Sequence, residues 1–190
     1  MKIKMKLLSD VIFGNGMSIP GGEDISVLRD EYGFPYYKGG TFKGIFREEL
    51  ERLLELKGES NLQTIIKELL GEPGDSEIES NSKLVFSDFV LSDAVKGVMV
   101  KELGKDNPER VLNDLTHVRA FTALSDDGTV QHGSLRVARC VNKGLVFYGS
   151  LNNTDAKYNE LIKETLGMIK WIGSMRNRGF GRIELTVEEA

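Results

Sequence analysis

Apolar and polar residues alternate strictly at the start of the chain, over residues 1–7. Ile3, Met5 and Leu7 fall on one side of this segment, and three lysines fall on the other. An alternation with a period of two residues is typical of a β-strand that is buried on one face. The other predicted strands are apolar runs bounded by turn residues, at 84–91, 145–151 and 183–187, with a further strand signal at Val137 and Val141.

Three segments carry apolar residues at intervals of three and four, which is the spacing of one face of an α-helix. The first covers 41–57, with Thr41 as its predicted N-cap. The second is short, over 62–70, and ends before a glycine. The third covers 158–172 and includes Trp171 in its apolar run, so we expect this tryptophan in the core.

The predicted elements follow the order strand, helix, short helix, strand, insertion, strand, helix, strand. Two helices on one face of four strands make an α+β fold of the ferredoxin-like split βαβ type, which is also the scaffold of the RNA-recognition motif. Residues 93–135 lack a clean period, and we interpret them as irregular with a hairpin. We therefore expect one domain over 1–190, with a thumb-like insertion at 92–142. The aromatic signature of RNA-recognition motifs is not evident, so the fold alone does not establish RNA binding.

The composition is that of a globular protein whose core needs no covalent staples. Apolar residues make up 40% and charged residues 28% of the 190 residues, and no apolar run approaches the length of a membrane span. The single Cys140 excludes an intramolecular disulfide, and we interpret it as a small core residue of a cytoplasmic protein. One cysteine with only His117 and His132 is too few for a usual Cys/His zinc site.

The net charge of −4 does not favour a general nucleic-acid coat, but the charges are unevenly distributed along the chain. Residues 71–80 hold four acids and no base, which predicts an exposed loop. Basic residues gather in three acid-free windows, at 32–47, at 128–154 and near the C-terminus. Such a distribution can give a mildly acidic protein one positive face.

A loop rich in glycine and arginine lies between the third predicted helix and the last strand. Its glycines are Gly173, Gly179 and Gly181, and its arginines are Arg176, Arg178 and Arg182. Glycine adopts positive φ and lets the backbone approach a ligand closely, and the arginine guanidinium suits phosphate. We therefore predict a contact with a polyanion. A turn with solvated arginines is the alternative.

A second basic motif, KGGTFKGIFR, opens the first predicted helix. Its candidate RNA contacts are Lys38, Gly39, Gly40, Thr41, Lys43 and Arg47. The free N–H groups at the start of a helix favour a phosphate, and the two cations spaced by four residues would extend the same site. The spacing of a nucleotide-binding P-loop is absent. A capped helix with two solvated cations remains the alternative.

Asp24 lies on a glycine-rich segment, GGEDISVLRD, that begins at residue 21. An exposed carboxylate there can assist in-line attack by a ribose 2′-hydroxyl on its phosphate, either by holding a divalent metal ion or by orienting the reacting groups. A surface acid in a turn is the alternative.

The predicted hairpin carries Arg119 and Phe121 on one arm and Arg136 on the other. An exposed edge of basic and aromatic side chains can contact a nucleic-acid strand by stacking and by charge. An ordinary hairpin with no ligand is the alternative.

Four motifs of the chain, in the right order and over nearly its whole length, resemble the RAMP superfamily of CRISPR effector proteins. They are KGGTFKGIFREEL, LVFSD, SLR followed by GLVFYG, and GSMRNRGFGRIEL. The run Asp24-x-x-Val27-x-Arg29-Asp30 with its following Gly-x-Pro turn looks most similar to type III backbone subunits of the Csm and Cmr kind. By this resemblance, Asp24 corresponds to the residue that cleaves target RNA and holds a divalent metal, Mg²⁺.

The resemblance implies a backbone subunit that binds CRISPR RNA through the glycine loop and the helix motif. It also implies a hairpin that kinks guide–target pairing, and cleavage of the target RNA. The implied partners are CRISPR RNA, target RNA, other effector subunits and copies of the chain or of related subunits in a filament, with no membrane.

Two departures from the family's pattern keep other functions open. No histidine precedes residue 117, and Ser26 stands where a proline is often found. A non-catalytic RNA-binding scaffold in the same complex is therefore the alternative to a nuclease. A guide-processing endonuclease is disfavoured, because that activity commonly uses a histidine near the first helix.

Overall fold

The computed structural model describes residues 1–14, 23–71, 84–104, 107–152 and 155–188, and the structural statements below concern these residues. An antiparallel five-stranded sheet forms the centre of the molecule. Its strands are β1 (Lys2–Leu7), β2 (Val85–Phe86), β3 (Val90–Leu91), β6 (Val146–Asn152) and β7 (Ile183–Glu188). β1 lies between β6 and β7, and β2 and β3 both pair with the other edge of β6.

One long helix and two short helices pack with this sheet. They are α1 (Gly39–Leu56), α2 (Leu62–Leu70) and α5 (Asn159–Met168). α1 contacts α2, α5 and β2, while α5 also contacts β7. Phe42, Phe46, Leu50 and Leu54 of α1 are fully buried in the same core cluster as the inward side chains of β1, which confirms both predicted faces. The α+β class is therefore confirmed.

Residues 93–141, within the predicted insertion, hold two helices and a separate two-stranded sheet. These elements are α3 (Asp93–Leu103), α4 (Pro108–Leu115), β4 (Thr116–Phe121) and β5 (Arg136–Val141). The predicted hairpin is confirmed, but the prediction that 93–115 is irregular is wrong. α3 buries no residue completely, so it lacks the periodic stripe that would reveal a helix. Pro108 begins α4, where its missing N–H costs no hydrogen bond.

The predicted strand at 84–91 is wrong in its middle, because tertiary contacts divide it into β2 and β3. Phe89 exchanges two backbone hydrogen bonds with Tyr37, at 3.0 and 2.8 Å. Asp88 turns its carboxylate to the backbone N–H of Gly39, at 2.8 Å. Thr41 is therefore not the N-cap: α1 begins at Gly39, and Lys38 occupies the cap position.

The third helix is shorter than predicted, and Trp171 is not in the core. α5 ends at Met168, and the following residues are extended because Ile172 pairs with Gly181. Trp171 is 38% exposed. Cys140 is buried as predicted, and burial raises the pKa of its thiol to about 11.

Two predicted loops, at 14–24 and 71–80, lie largely outside the described residues. Among the helices that the structure describes, none is both long enough and apolar enough to cross a membrane.

Candidate RNA interface

The glycine-arginine loop, residues 173–182, is closed at its base like a hairpin. Ile172 N–H donates to the Gly181 carbonyl at 2.9 Å, and Ile183 N–H donates to the Lys170 carbonyl at 2.9 Å. Gly181 has φ +85°, and a Cβ there would lie 1.9 Å from the Ile172 carbonyl oxygen. Only glycine fits this position, because it needs a positive φ and leaves no room for a Cβ against the chain's own backbone.

Arg176, Arg178 and Arg182 are all exposed on this loop. The first two lie in a single 3₁₀ turn that spans Arg176–Arg178, between Met175 with φ 57° and Gly179 with φ 85°. No acidic side chain pairs with any of the three in the part of the chain that the structure describes. Their charges are therefore available to an external anion.

Phe180 fixes the loop against the hairpin. It is 5% exposed and belongs to a small apolar cluster with Ile12, Ala138 and Cys140, separate from the main core. The Phe121 ring meets the Phe180 ring edge to face, at 5.6 Å between centroids. The Arg119 guanidinium lies over the same ring, 5.4 Å from its centroid. The structure thus brings the predicted loop and the predicted hairpin together, although Phe121 and Phe180 are 59 residues apart in sequence.

An open groove of about 520 Å³ runs between hairpin and loop. We call it the hairpin groove, and its lining residues are Phe121, Thr122, Ala123, Ser134, Arg136, Met175, Asn177 and Arg178. It combines an aromatic edge, two guanidinium groups and small polar side chains. These are the groups that single-stranded nucleic acids contact in proteins.

Asp24 lies on the opposite edge of β5 from β4. Its N–H donates to the Val137 carbonyl at 2.8 Å, and its Oδ2 accepts the Val137 N–H at 2.6 Å. The side chain is exposed, and Oδ1 has no hydrogen-bond partner among the described residues. Asp24 therefore lies beside Val137, and the preceding residue of β5, Arg136, lines the hairpin groove.

Arg139 of β5 links Glu23, the neighbour of Asp24, to α4 and β4 through side-chain hydrogen bonds. Its Nε donates to Glu23 Oε1 at 2.7 Å, while its Nη1 donates to Asn113 Oδ1 at 2.9 Å and to Thr116 Oγ1 at 3.0 Å. The Arg139 and Glu23 side chains are only 13% and 12% exposed. Arg139, counted in the sequence as part of a basic window, is thus a structural residue that holds the backbone next to Asp24.

The described residues include no cluster of three or more acidic, histidine or cysteine side chains that could hold a metal ion. Glu23 is already paired with Arg139, so among the described residues of this segment the carboxylate oxygen without a partner is Oδ1 of Asp24. Mg²⁺ commonly takes one or two carboxylates and completes its octahedron with water and substrate phosphates. A single exposed carboxylate fits that arrangement only when RNA supplies part of the ligand set.

The helix motif is divided between structural and exposed residues. Asp88 accepts the Gly39 N–H, and the Arg47 guanidinium donates to the Gly71 carbonyl at 2.8 Å, at the end of α2. The structure therefore gives these two residues intramolecular partners where the sequence predicts phosphate contacts. Lys38, Gly40 and Thr41 are exposed and Lys43 is half-buried. Their RNA contacts stay predictions.

Tyr37 joins the start of α1 to the glycine-arginine loop. Its ring packs against the ring of Phe13, with 4.8 Å between the centroids. Its buried hydroxyl lies near the backbone of Gly173 and near Arg176, and both lower the pKa of Tyr37 by less than burial raises it. The contact with Gly173 does not meet hydrogen-bond geometry, so the hydroxyl has no hydrogen-bond partner within the part of the chain that the structure describes. Burial raises the pKa of Tyr37 from 10.0 to about 12.

The Tyr37 hydroxyl predicts a loss of stability at alkaline pH. Because its pKa is higher in the folded state, its contribution is complete below about pH 10 and is lost as the pH rises through about 12. Tyr37→Phe removes the ionisable group and its unpaired oxygen. We expect urea unfolding at about pH 8 and at about pH 11 to show a smaller alkaline loss in the variant. Equal losses would assign the alkaline transition to other groups.

Three residues that shape this interface escaped the sequence analysis. Arg139 was missed as a positioning residue because its partner Glu23 lies 116 residues away. Asp88 was missed because it lies in the predicted strand at 84–91, and its carboxylate reaches the start of α1 only because that strand is divided into β2 and β3. Trp171 was misplaced because helical spacing continued past the true end of α5.

A family model of the RAMP superfamily matches residues 4–184. The chain belongs to the RAMP superfamily. Among curated proteins, none matches it.

Two solved structures show how closely this RAMP chain follows a known fold. A chain of the type III-B Cmr-beta cryo-EM structure in its apo state aligns with a TM-score of 0.67 at 14% identity, covering 97% of this chain and 95% of the other. A chain of type III-B Cmr-beta bound to cognate target RNA aligns with a TM-score of 0.66 at 15% identity, with the same coverages. At such identities, the likeness establishes a shared fold.

Proposed function

We propose that this RAMP protein is a backbone subunit of a type III CRISPR RNA-guided complex. In this proposal it binds CRISPR RNA and cleaves target RNA at Asp24. The observation that carries the proposal is that Asp24 and the hairpin groove meet at the same strand. Asp24 is bonded to one edge of β5, and Arg136 at the start of β5 lines the groove together with Phe121. The matching Cmr-beta structures, one of them with cognate target RNA, support type III effector subunits and RNA as partners.

The fold itself supports the same assignment. We propose a ferredoxin-like split βαβ arrangement, which is supported by the strand order β7-β1-β6, followed by β2 and β3, and by the contacts of α1 with β2 and of α5 with β7. In this proposal the insertion acts as a thumb, because β4 and β5 form a sheet of their own that projects the hairpin groove.

The proposed reaction uses the target's own ribose. The 2′-hydroxyl loses its proton to water as its oxygen bonds to the adjacent phosphorus, the P–O5′ bond breaks, and the leaving 5′-oxygen takes a proton from water, which gives a 2′,3′-cyclic phosphate and a 5′-hydroxyl. Asp24 would orient the reacting groups through its free oxygen, while Val137 and the Glu23–Arg139 pair keep the carboxylate in place. A Mg²⁺ ion held by Asp24 would neutralise charge on the phosphate.

A non-catalytic scaffold is the second candidate, and one observation favours it. Asp24 Oδ2 accepts the Val137 N–H, so the carboxylate also has a structural task. The two candidates separate in the assembled complex with guide RNA, target RNA and Mg²⁺. Regularly spaced products with cyclic-phosphate ends support the nuclease, while bound and intact target supports the scaffold.

RNA binding is tested by Arg176→Ala combined with Arg178→Ala. Because arginine–phosphate contacts release counterions from single-stranded RNA, losing two of them is expected to flatten the log–log salt slope of binding by about 1.4. The measurement is fluorescence anisotropy with labelled guide RNA over a range of salt concentrations. Glu31→Ala in the 30–34 turn is a matched surface control that leaves the slope unchanged. A wild-type slope in the double variant would make the loop a purely structural element.

A further inference from the structure

A second groove lies on the other side of the glycine-arginine loop, at its base, and has a volume of about 490 Å³. We call it the Trp171 groove, and its lining residues are Leu8, Lys170, Trp171, Arg182, Ile183, Glu184 and Leu185. Of its lining residues, only Arg182 belongs to the loop that the sequence predicts to contact RNA, and the proposed cleavage reaction does not use this groove.

Trp171 is held beside Arg182 by a rigid backbone. The two residues form an antiparallel bridge, which places their side chains on the same face. Arg182 N–H donates to Ser9 Oγ at 2.9 Å, and its carbonyl accepts the Leu8 N–H at 2.8 Å. The groove is therefore preformed by three segments of chain and not by one mobile loop.

The chemistry of the groove suits a nucleotide. The Trp171 indole is 38% exposed, and no cation covers its ring in the described part of the chain. Lys170 and Arg182 have no acidic partner within hydrogen-bonding distance among the described residues, and Glu184 is the one acid in the lining. An open aromatic face between two cations can stack a base and hold the phosphates on either side of it.

We infer that the Trp171 groove binds one unpaired base of single-stranded RNA, with its flanking phosphates at Lys170 and Arg182. This inference rests on the proposed RNA-binding function and extends it, because the same loop that lines the hairpin groove at its tip lines the Trp171 groove at its base. RNA on the loop can thus continue from one groove to the other. A protein partner would need an acidic rim to match these cations.

The single tryptophan makes the groove directly observable. The chain contains one Trp, so tryptophan fluorescence, excited selectively over the tyrosines, reports this site alone. Titration of the full chain with single-stranded oligouridylate is expected to quench the fluorescence of Trp171, since a base stacks on the indole. A spectrum unchanged at saturating RNA overturns the inference. A change that depends on protein concentration without RNA overturns it in favour of contact between copies.

Substitutions give an independent measure of affinity by anisotropy with labelled RNA. Trp171→Ala is expected to weaken binding at least about fivefold, the loss of one stacked base, while Trp171→Phe stays close to wild type. Tyr32→Ala removes an aromatic side chain of similar exposure, 45% against 38%, near α3 and serves as the matched control. Equal affinity of Trp171→Ala and wild type overturns the inference.

Failure of this site is distinguishable from failure of the proposed function. If Arg176→Ala with Arg178→Ala weakens RNA binding and Trp171→Ala does not, the proposed function stands and the Trp171 groove is not part of the RNA path. If wild type binds no RNA under any condition, both are overturned.

Discussion

Replacing Asp24 with asparagine is expected to lower target-RNA cleavage by about a thousandfold, the usual scale for loss of one group that acts on the reacting atoms. Asparagine keeps the size of the side chain and an oxygen that accepts the Val137 N–H, but it removes the negative charge. The loop therefore stays in place while the chemistry is lost. The measurement is single-turnover cleavage by the assembled guide complex with Mg²⁺.

Asp24→Ala provides the comparison that separates chemistry from structure. Alanine removes both the charge and the acceptor for Val137, so a carboxylate with only a structural task would affect the alanine variant and spare the asparagine variant. Asp126→Asn, an exposed acid in the connection between β4 and β5, makes the same change of charge elsewhere on the insertion. Full cleavage by Asp24→Asn would refute the catalytic role, and guide binding is expected to persist in all three variants.

Replacing Gly39 with alanine is expected to lower the free energy of unfolding by about 3 kcal/mol, the upper range for overpacking a buried position. A Cβ on Gly39 would lie 2.4 Å from the Phe86 carbonyl oxygen and 2.5 Å from that of Ser87. Both are backbone atoms of the β2–β3 segment, so no side chain can rotate away. The start of α1 would have to move, which also strains the bond from Gly39 N–H to Asp88.

Gly40→Ala is the matched control in the same helical turn. A Cβ on Gly40 meets no atom within 4 Å, and alanine favours a helix over glycine by up to about 1 kcal/mol. Urea unfolding is therefore expected to show opposite signs for two adjacent and chemically identical changes. Equal destabilisation by both would show that the double glycine serves backbone conformation rather than close packing.

Local patterns predicted the main sheet and its helices well where one face is buried by the core. The alternation at 1–7 became β1, and the stripe at 62–70 became α2 with the bounds the spacing predicted. The local patterns failed for α3, which has no fully buried residue, and at the end of α5, where the pairing of Ile172 with Gly181 replaces the helix. Both failures occur where long-range contacts, and not the local period, decide the backbone conformation.

The same division applies to the site. Residue type and spacing already identify the side chains that carry charge and aromatic surface, namely the arginines of 173–182, Phe121 and Asp24. Their neighbours depend on how distant segments pack. Phe180 brings loop and hairpin together, and Arg139 fixes the segment of Asp24 through Glu23. The tertiary structure also leaves Trp171 exposed and gives Arg47 and Gly39 partners within the chain. Packing between distant segments does not produce a periodic pattern of apolar residues, so these three outcomes could not be predicted from the sequence.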